Sequence, residues 1–403
     1  MGDFHQGGAV TTLHKLRERP ITEIEDSLCA FAAQRPMSLV LPSLYSELEG
    51  EALARILDEL TQVRYLNEIV IGLDRAEPAE FEHARAYFDR LPQHHRILWH
   101  DGPRLQALDA LLARHGLAPT EPGKGRNVWY CYGYALASGR GSLLALHDCD
   151  ILTYQRGLLA RLFYPLAHPQ LNFYFCKGYY YRAAGERLNG RVTRLLVTPL
   201  IDALQRMVGP APYLDYMASF RYPLAGEFAT RAEVVRQIRI PSDWGLEIGV
   251  LSEVHRNYAL GRICQAEIAD AYDHKHQPLS ADDAQAGLSK MSTDISKALF
   301  RKLATQGVVF SAGSFRTLKA IYYRTALDMV ERYYAEAVTN GMQLDRHAEE
   351  QAVELFAQNI TRAGESFMAN PQETPFMPSW QRVVSAVPDF LAQLHEAVER
   401  DNA

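Results

Sequence analysis

The chain has 403 residues, 47% of them hydrophobic and 22% charged, with 26 glycines and 20 prolines. That composition excludes a disordered or collagen-like protein and leaves room for more than one average domain. A net charge of −6, from 42 Lys and Arg against 48 Asp and Glu, excludes a protein built to wrap nucleic acid. No apolar run approaches the roughly 20 residues that span a bilayer, and the opening Met-Gly-Asp-Phe-His-Gln-Gly-Gly lacks the charged-then-apolar order of a secretory signal. Five cysteines, at 29, 131, 149, 176 and 264, are odd in number and carry no zinc-type spacing. The reading is a cytoplasmic protein with neither nucleic-acid nor membrane partners.

From Ile21 to Ala33, acidic Glu23, Glu25 and Asp26 precede Leu28, Phe31 and Ala32, the order of a short amphipathic helix that Arg35-Pro36 ends. Residues 1–36 are expected to form an N-terminal helical arm. Met37-Ser-Leu-Val-Leu-Pro42 is the first strand, a compact apolar run. A stripe at Leu53, Ile56, Leu57, Leu60 and Val63 predicts a helix over Glu51–Val63, and Glu68–Gly72 a second strand. A helix over Ala79–Leu91, a strand at His95–Trp99 and a helix over Arg104–His115 continue the alternation. This is the signature of βαβ units and a parallel sheet, with ligands expected beyond the C-terminal strand ends.

After a loop at Ala118–Gly125, a helix is predicted over Arg126–Ser138, followed by a buried strand at Ser142–His147. Asn172–Arg182 is strand-like and aromatic, and Arg262–Ala271 reads as a further strand. From Ala281 onward almost everything reads as helix, with one stripe through Leu318, Ile321, Tyr322, Leu327, Val330 and Tyr334. The expected division is an arm at 1–36, an α/β domain at 37–280 and a helical C-terminal region at 281–403.

The main chemical clue is Asp148-Cys149-Asp150, at the end of the most apolar strand. Residues i and i+2 of an extended segment share a side, so both aspartates can face one divalent cation. The same residues suit a solvated strand-end turn, and the pattern alone leaves both readings open. Gly123-Lys124-Gly125 precedes a helix and offers amides and a point charge to phosphate; a plain surface turn has the same composition. One imidazole of His274-Lys275-His276 suits a metal site begun by the aspartates, and an ordinary solvated loop fits equally. Glu247, among apolar neighbours after Ser242 or Asp243 as helix cap, is a candidate buried acid, or else supports another site residue or the helix dipole. Tyr222-Pro-Leu-Ala-Gly-Glu227 sets an acid after glycine. Leu188-Asn-Gly-Arg-Val-Thr193 groups glycine, arginine and hydroxyl as an oxyanion site or a turn would.

In order along the chain, Val40-Leu-Pro-Ser-Leu44, Gly-Lys-Gly, Asp-x-Asp, Lys177-Gly-Tyr-Tyr180, Asn189-Gly-Arg-Val-Thr193, Pro223-Leu-x-Gly-Glu227, Trp244-Gly-Leu-Glu-Ile-Gly249 and His274-x-x-x-Pro-Leu279 resemble the GT-A glycosyltransferases. The resemblance is greatest to the glucosyl-3-phosphoglycerate synthases and their relatives in glycosyltransferase family 81, over about Met37 to Leu279. It implies a GT-A (Rossmann-like) domain with a C-terminal helical region. It also implies retaining transfer of glucose from a nucleotide sugar, typically UDP-glucose, to the 2-hydroxyl of 3-phosphoglycerate. Carried onto matching positions, Pro42, Ser43, Leu44 and Asp74 would line the uridine pocket, with Lys124 near the diphosphate and the Asp148-Cys149-Asp150 segment on the donor. Asp150 and His274, with Asp148 beside them, would hold Mg²⁺ or Mn²⁺. Gly190, Arg191 and Thr193 would bind the acceptor phosphate. Leu224 would present its carbonyl near the anomeric centre, and Glu247 would face the sugar or acceptor.

One departure stands out. The family's Arg-x-His-x-Asn run appears here as Tyr272-Asp273-His274-Lys275-His276, which leaves His276 at an acceptor position and opens, as alternatives, free glycerate or a related hydroxy acid as acceptor, a GDP-sugar as donor and mannose as the transferred sugar. The product is then a glucosylglycerate-type compatible solute or its phosphorylated precursor. A nucleotidyltransferase would show a glycine-rich loop after the first strand, where Pro42-Ser-Leu-Tyr-Ser stands; a non-catalytic nucleotide-sugar sensor is the remaining class. The C-terminal helices are expected to serve a homodimer.

Overall fold

The computed structural model describes residues 6–119, 121–274 and 287–403. Lys275, His276 and the boundary expected near 280 lie outside the described residues. The strands are β1 (Thr11–Leu13), β2 (Met37–Leu44), β3 (Leu66–Asp74), β4 (His95–Trp99), β5 (Leu143–Leu146), β6 (Phe175–Tyr180), β7 (Ala183–Ala184), β8 (Arg187–Leu188), β9 (Phe228–Arg231) and β10 (Ile263–Ala269). Eight of them make one sheet in the order β1-β10-β6-β9-β5-β2-β3-β4, while β7 and β8 form a separate small hairpin. Every neighbouring pair in the sheet is parallel except those of β9, which runs antiparallel to both β5 and β6. The segment expected as a purely helical arm therefore also supplies the edge strand β1, beside β10.

The helices that follow the first strands are α1 (Ile21–Ala32), α2 (Glu51–Leu60), α3 (Pro78–Phe88), α4 (Pro103–Arg114), α5 (Lys124–Ser138) and α6 (Arg156–Ala167). A π-helical turn at Thr193–Val197 leads into α7 (Thr198–Val208), followed by α8 (Pro212–Ala218), α9 (Ala232–Gln237) and α10 (Leu246–Asn257). The C-terminal helices are α11 (Gly287–Ala304), α12 (Ala312–Thr339), α13 (Arg346–Ala369), α14 (Trp380–Ala386) and α15 (Phe390–Asp401). Among the described residues, no helix is long and apolar enough to cross a membrane.

Parallel strands covered on both faces read as near-continuous apolar runs, and Leu39–Leu41 of β2, Ile69–Ile71 of β3 and all of β5 do. Alternate residues feed two cores. Leu39, Leu41, Ile69, Ile71 and Ala145 pack with Ile24, Leu28, Leu53 and Ile56 from α1 and α2. Val40, Val70, Leu144 and Leu146 pack on the other face with Val128 and Trp129 of α5. The second core runs on without a break into Leu299, Tyr322, Phe356, Trp380 and Leu394 of the C-terminal helices.

Trp380 stacks on Trp129 at 4.1 Å between ring centroids, and its indole N–H donates to the Trp129 carbonyl at 3.1 Å. A Cβ on Gly133 would stand 2.2 Å from the Trp380 ring, so any side chain there expels the tryptophan. At the sheet edge, Asn402 exchanges two 2.9 Å hydrogen bonds with the Ile97 backbone of β4. The C-terminus thereby covers an edge that would otherwise offer unpaired backbone groups.

Candidate active site

Because the parallel strands all point one way, the ends of β2, β3, β5, β6 and β10 meet at one rim, as open α/β sheets require of a ligand site. The reversed β9 brings its beginning to that rim, which delivers Tyr222–Glu227. The motifs singled out in the sequence thus converge from segments far apart in the chain.

At the start of α5, Gly123 has φ +147°, a conformation side chains rarely adopt, and a Cβ on Gly125 would lie 2.0 Å from the Pro241 carbonyl oxygen. Both glycines are needed to seat this helix end, which begins at Lys124, two residues earlier than the periodicity implies. Lys124 Nζ lies 2.6 Å from Asp148 Oδ1 and 3.2 Å from Glu247 Oε1. Burial alone would lower the basicity of this ammonium, but the two carboxylates raise it well above the ordinary lysine value. Gly226 packs against Asp148: a Cβ there would meet Oδ2 at 2.3 Å.

Pro42 and Leu44 are half-buried at the end of β2, and Ser43 is buried between them. Asp74, at the end of β3, accepts a 3.0 Å hydrogen bond from Asn127 Nδ2, which also donates to the Gly72 carbonyl at 3.0 Å. Asn127 went unnoticed in the sequence, where it is one polar residue in a helix. Its partner is Gly72, where a Cβ would stand 1.8 Å from Asn127 Oδ1. Cys149 turns into the core, so only its backbone can meet a ligand.

Asp150 and His274 are brought together by a short antiparallel bridge between Ile151 and His274, with Leu152 N donating to Asp273 O at 2.9 Å. His274 Nδ1 stands 3.5 Å from Asp150 Oδ2, while Asp150 Oδ1 is buried with no hydrogen-bond partner among the described residues. Burial opposes ionisation of Asp150, but His274 and Lys124 hold it below the usual carboxylate range. An orphaned carboxylate oxygen beside an imidazole fits a divalent cation. Asp148 is committed to Lys124 instead, and among the described residues no three His, Cys, Asp or Glu form a ready cage.

The 183–194 segment carries the candidate oxyanion loop. Gly190 has φ +76°, and a Cβ there would press on the Arg182 stem at 3.1 Å. Thr193 Oγ1 is buried without a partner among the described residues. Arg191 Nε donates to Glu349 Oε1 at 3.0 Å, and Arg194 Nη1 to Glu349 Oε2 at 2.6 Å. Glu349 belongs to α13, so the C-terminal region orients this loop. Arg191 uses only Nε in this way; its terminal nitrogens make no hydrogen bond among the described residues. His276 lies outside the described residues. Neither Ser242 nor Asp243 caps α10 as expected: Ser242 Oγ donates to Pro375 O, Asp243 accepts from Gly245 N, and α10 starts only at Leu246.

The fully buried acid of the rim is Glu227, not Glu247. Tyr180 and Tyr272 each donate to Glu227 at 2.7 Å, and their rings stack face to face at 3.7 Å. Burial raises the Glu227 carboxyl above its ordinary value. Lys177, in the middle of β6, donates to the Ala225 carbonyl, and burial pushes its ammonium down to about 8 against the pull of Glu247 and Glu227. The Arg182 guanidinium lies over the Tyr272 ring, 5.5 Å from its centroid. Its neighbour is therefore the residue that replaces the family arginine. A lysine inside the otherwise apolar and aromatic Phe175–Tyr180 was the sequence signal for this cluster.

Solved structures of glucosyl-3-phosphoglycerate synthase from Mycobacterium tuberculosis share this architecture, with a TM-score of 0.54 and 23% identity over 75% of this chain and 90% of theirs. The fold is that of the GT-A glycosyltransferases. No protein-family model matches the chain. The glucosyl-3-phosphoglycerate synthase of Persephonella marina is 46% identical over 403 residues, the whole of both chains. That of Methanococcoides burtonii is 38% identical over 99% of this chain and 98% of its own. The chain belongs to the glucosyl-3-phosphoglycerate synthase family.

Proposed function

We propose that the protein is a retaining hexosyltransferase that moves glucose from UDP-glucose to the 2-hydroxyl of 3-phosphoglycerate, with Mg²⁺ or Mn²⁺ as cofactor. The observation that carries this reading is the turn Tyr222–Glu227, which touches both sides of the site. Gly226 lies against Asp148, and a Cβ on Gly190 would meet the Tyr222 ring at 3.6 Å. In this reading Leu224, which lies between those two contacts in the turn, presents its carbonyl near the anomeric carbon. The M. tuberculosis enzyme has been solved with Mn²⁺, UDP-glucose and phosphoglyceric acid together, and with UDP and glucosyl-3-phosphoglycerate, which supports the same ligands here.

In this scheme Pro42, Ser43, Leu44 and Asp74 hold the uridine, Asp148 the ribose side, and Lys124 the diphosphate. Gly190, Arg191 and Thr193 take the acceptor phosphate, the Thr193 hydroxyl gaining the partner it lacks. Asp150 and His274 would hold the metal, which when bound offsets charge developing on the departing UDP. The bond from C1 to the diphosphate breaks while C1 bonds to the acceptor oxygen on the same face, and a departing phosphate oxygen accepts the hydroxyl proton. Glu227 is committed to two tyrosine hydroxyls and Glu247 to Lys124, so neither is poised as a covalent nucleophile. Binding energy then fixes the geometry of attack.

A cytoplasmic homodimer belongs to the same reading. Tyr323, Tyr334 and Val338 are exposed along one face of α12, an apolar surface that a second copy would cover. The reaction is tested by a mass-spectrometric screen of UDP- and GDP-sugars against 3-phosphoglycerate and glycerate. Glucosyl-3-phosphoglycerate from UDP-glucose is the expected product; product only from glycerate or a GDP-sugar overturns the proposal.

A further inference from the structure

Arg182 lies two residues beyond β6, at the head of the segment that leads to the Gly190 loop. The residue is only 9% exposed. Its Nε is sealed from solvent with no hydrogen-bond partner among the described residues, and Nη1 reaches only the Tyr222 hydroxyl, at 3.4 Å. No carboxylate pairs with it among the described residues. Arg194 shows the contrast: it is buried nearby and bound by Glu349 at 2.6 Å. Buried guanidinium groups are ordinarily paired, because an isolated charge is costly to desolvate. The face of Tyr272 and one phenolic oxygen soften that cost without neutralising the charge.

The position of Arg182 says what the missing anion is. Its carbonyl accepts a 2.6 Å hydrogen bond from Asn189 N, and its stem is the surface against which Gly190 turns. The guanidinium therefore stands at the base of the loop assigned to the acceptor phosphate, beside the tyrosines of the rim. An acceptor of the proposed kind has a second anionic end, a carboxylate on the carbon that bears the reacting hydroxyl. A planar fork of N–H donors matches that group in two hydrogen bonds.

We propose that Arg182 is an acceptor-specificity residue whose guanidinium takes the carboxylate of a phosphorylated 2-hydroxy acid, while the Gly190–Thr193 loop takes its phosphate. This rests on the acceptor reading above. Holding the carboxylate orients the adjacent hydroxyl toward the donor. An acceptor without a carboxylate would leave the buried charge unpaired and be rejected for that reason.

The test uses the full chain with UDP-glucose, Mn²⁺ and 3-phosphoglycerate, and two competing inhibitors: glycerate, with only the carboxylate, and glycerol 3-phosphate, with only the phosphate. Arg182→Met should raise the KM for 3-phosphoglycerate and the Ki of glycerate by about 30-fold, the loss of a charge-assisted bidentate contact. The Ki of glycerol 3-phosphate and the KM of UDP-glucose should stay within about threefold, and Tm should be unchanged or raised, because an unpaired buried charge has gone. Arg191→Ala should do the reverse, weakening glycerol 3-phosphate and sparing glycerate. The proposal is overturned if Arg182→Met weakens both inhibitors alike, moves only the donor KM, or lowers Tm with no selective loss. Should that variant not fold, Arg182→Lys, which keeps the charge and loses the fork, is read the same way. If Arg191→Ala leaves glycerol 3-phosphate untouched while Arg182→Met selectively weakens glycerate, the phosphate-loop assignment falls and the carboxylate contact stands.

Discussion

Lys124 Nζ lies 2.6 Å from Asp148 Oδ1, and the pair joins the N-terminus of α5 to the end of β5. The same ammonium is placed to meet a diphosphate, where it would compensate negative charge in a partly buried site. Lys124→Ala should raise the KM for UDP-glucose and lower kcat, together costing about 10- to 100-fold in kcat/KM, the range of a charge-assisted hydrogen bond. The acceptor KM should change little. Unaltered donor kinetics would remove Lys124 from the donor site.

Asp150 and His274 meet through the bridge at Ile151, 3.5 Å apart. Asp150→Ala and His274→Ala should each abolish Mn²⁺-dependent activity while far-UV circular dichroism stays that of the parent. In the parent enzyme, EDTA should remove activity and added Mn²⁺ restore it. Full turnover in both variants would contradict the metal assignment.

Gly125 is pressed against a rigid backbone rather than a flexible side chain: its Cβ position is 2.0 Å from Pro241 O and 2.8 Å from Ser242 Cα. Gly125→Ala should destabilise the fold by at least about 2 kcal/mol, the scale of overpacking in a close-packed interior. It should also weaken donor binding, since α5 must retreat from the rim. Urea denaturation checks the first effect and isothermal titration with UDP the second; an unchanged unfolding midpoint would contradict the close contact.

Glu68 lies at the opposite end of the sheet, fully buried, and burial raises its carboxyl from 4.5 to about 7 despite hydrogen bonds from Ser138 and Ser38. A raised folded value means that folding takes up a proton between those two pH values. Its contribution is whole below pH 4.5 and is lost as pH rises through 7. Glu68→Gln removes this dependence, so the stability of the variant relative to the parent should grow by up to about 3 kcal/mol from pH 4 to pH 8. Urea titrations at several pH values read the difference directly, and a gap independent of pH would refute it.

Most of the sheet was legible because buried parallel strands have apolar centres, such as Leu39–Leu41 and Ile69–Ile71, and the helices between them are striped. Met37–Pro42, Glu68–Gly72 and His95–Trp99 each correspond to an observed strand. Short or reversed pieces were not legible. Thr11–Leu13 is a strand only because β10 lies beside it, and Phe228–Arg231 carries no signal that it runs backwards. The candidate site followed the same division. Gly123-Lys124-Gly125, Asp148-x-Asp150 and Asn189–Thr193 stand out as local motifs, whereas Asn127, Glu227 and Arg182 have meaning only through partners far away in sequence.

Composition and local pattern determined by themselves that the chain is an α/β protein with a ligand rim at its strand ends, since period and apolarity are properties of neighbouring residues. Tertiary structure alone decided how charge is distributed over that rim. A protein of net −6 gathers cations there and settles each one differently: Lys124 is held by Asp148 and Glu247, and Arg191 by Glu349, 158 residues away. Arg182 is left buried over Tyr272 with no carboxylate among the described residues. The helical C-terminal region likewise acquires a place, continuing one core and steadying the Gly190 loop through α13. Pairing and desolvation depend on distance and burial, and neither is written in the order of the residues.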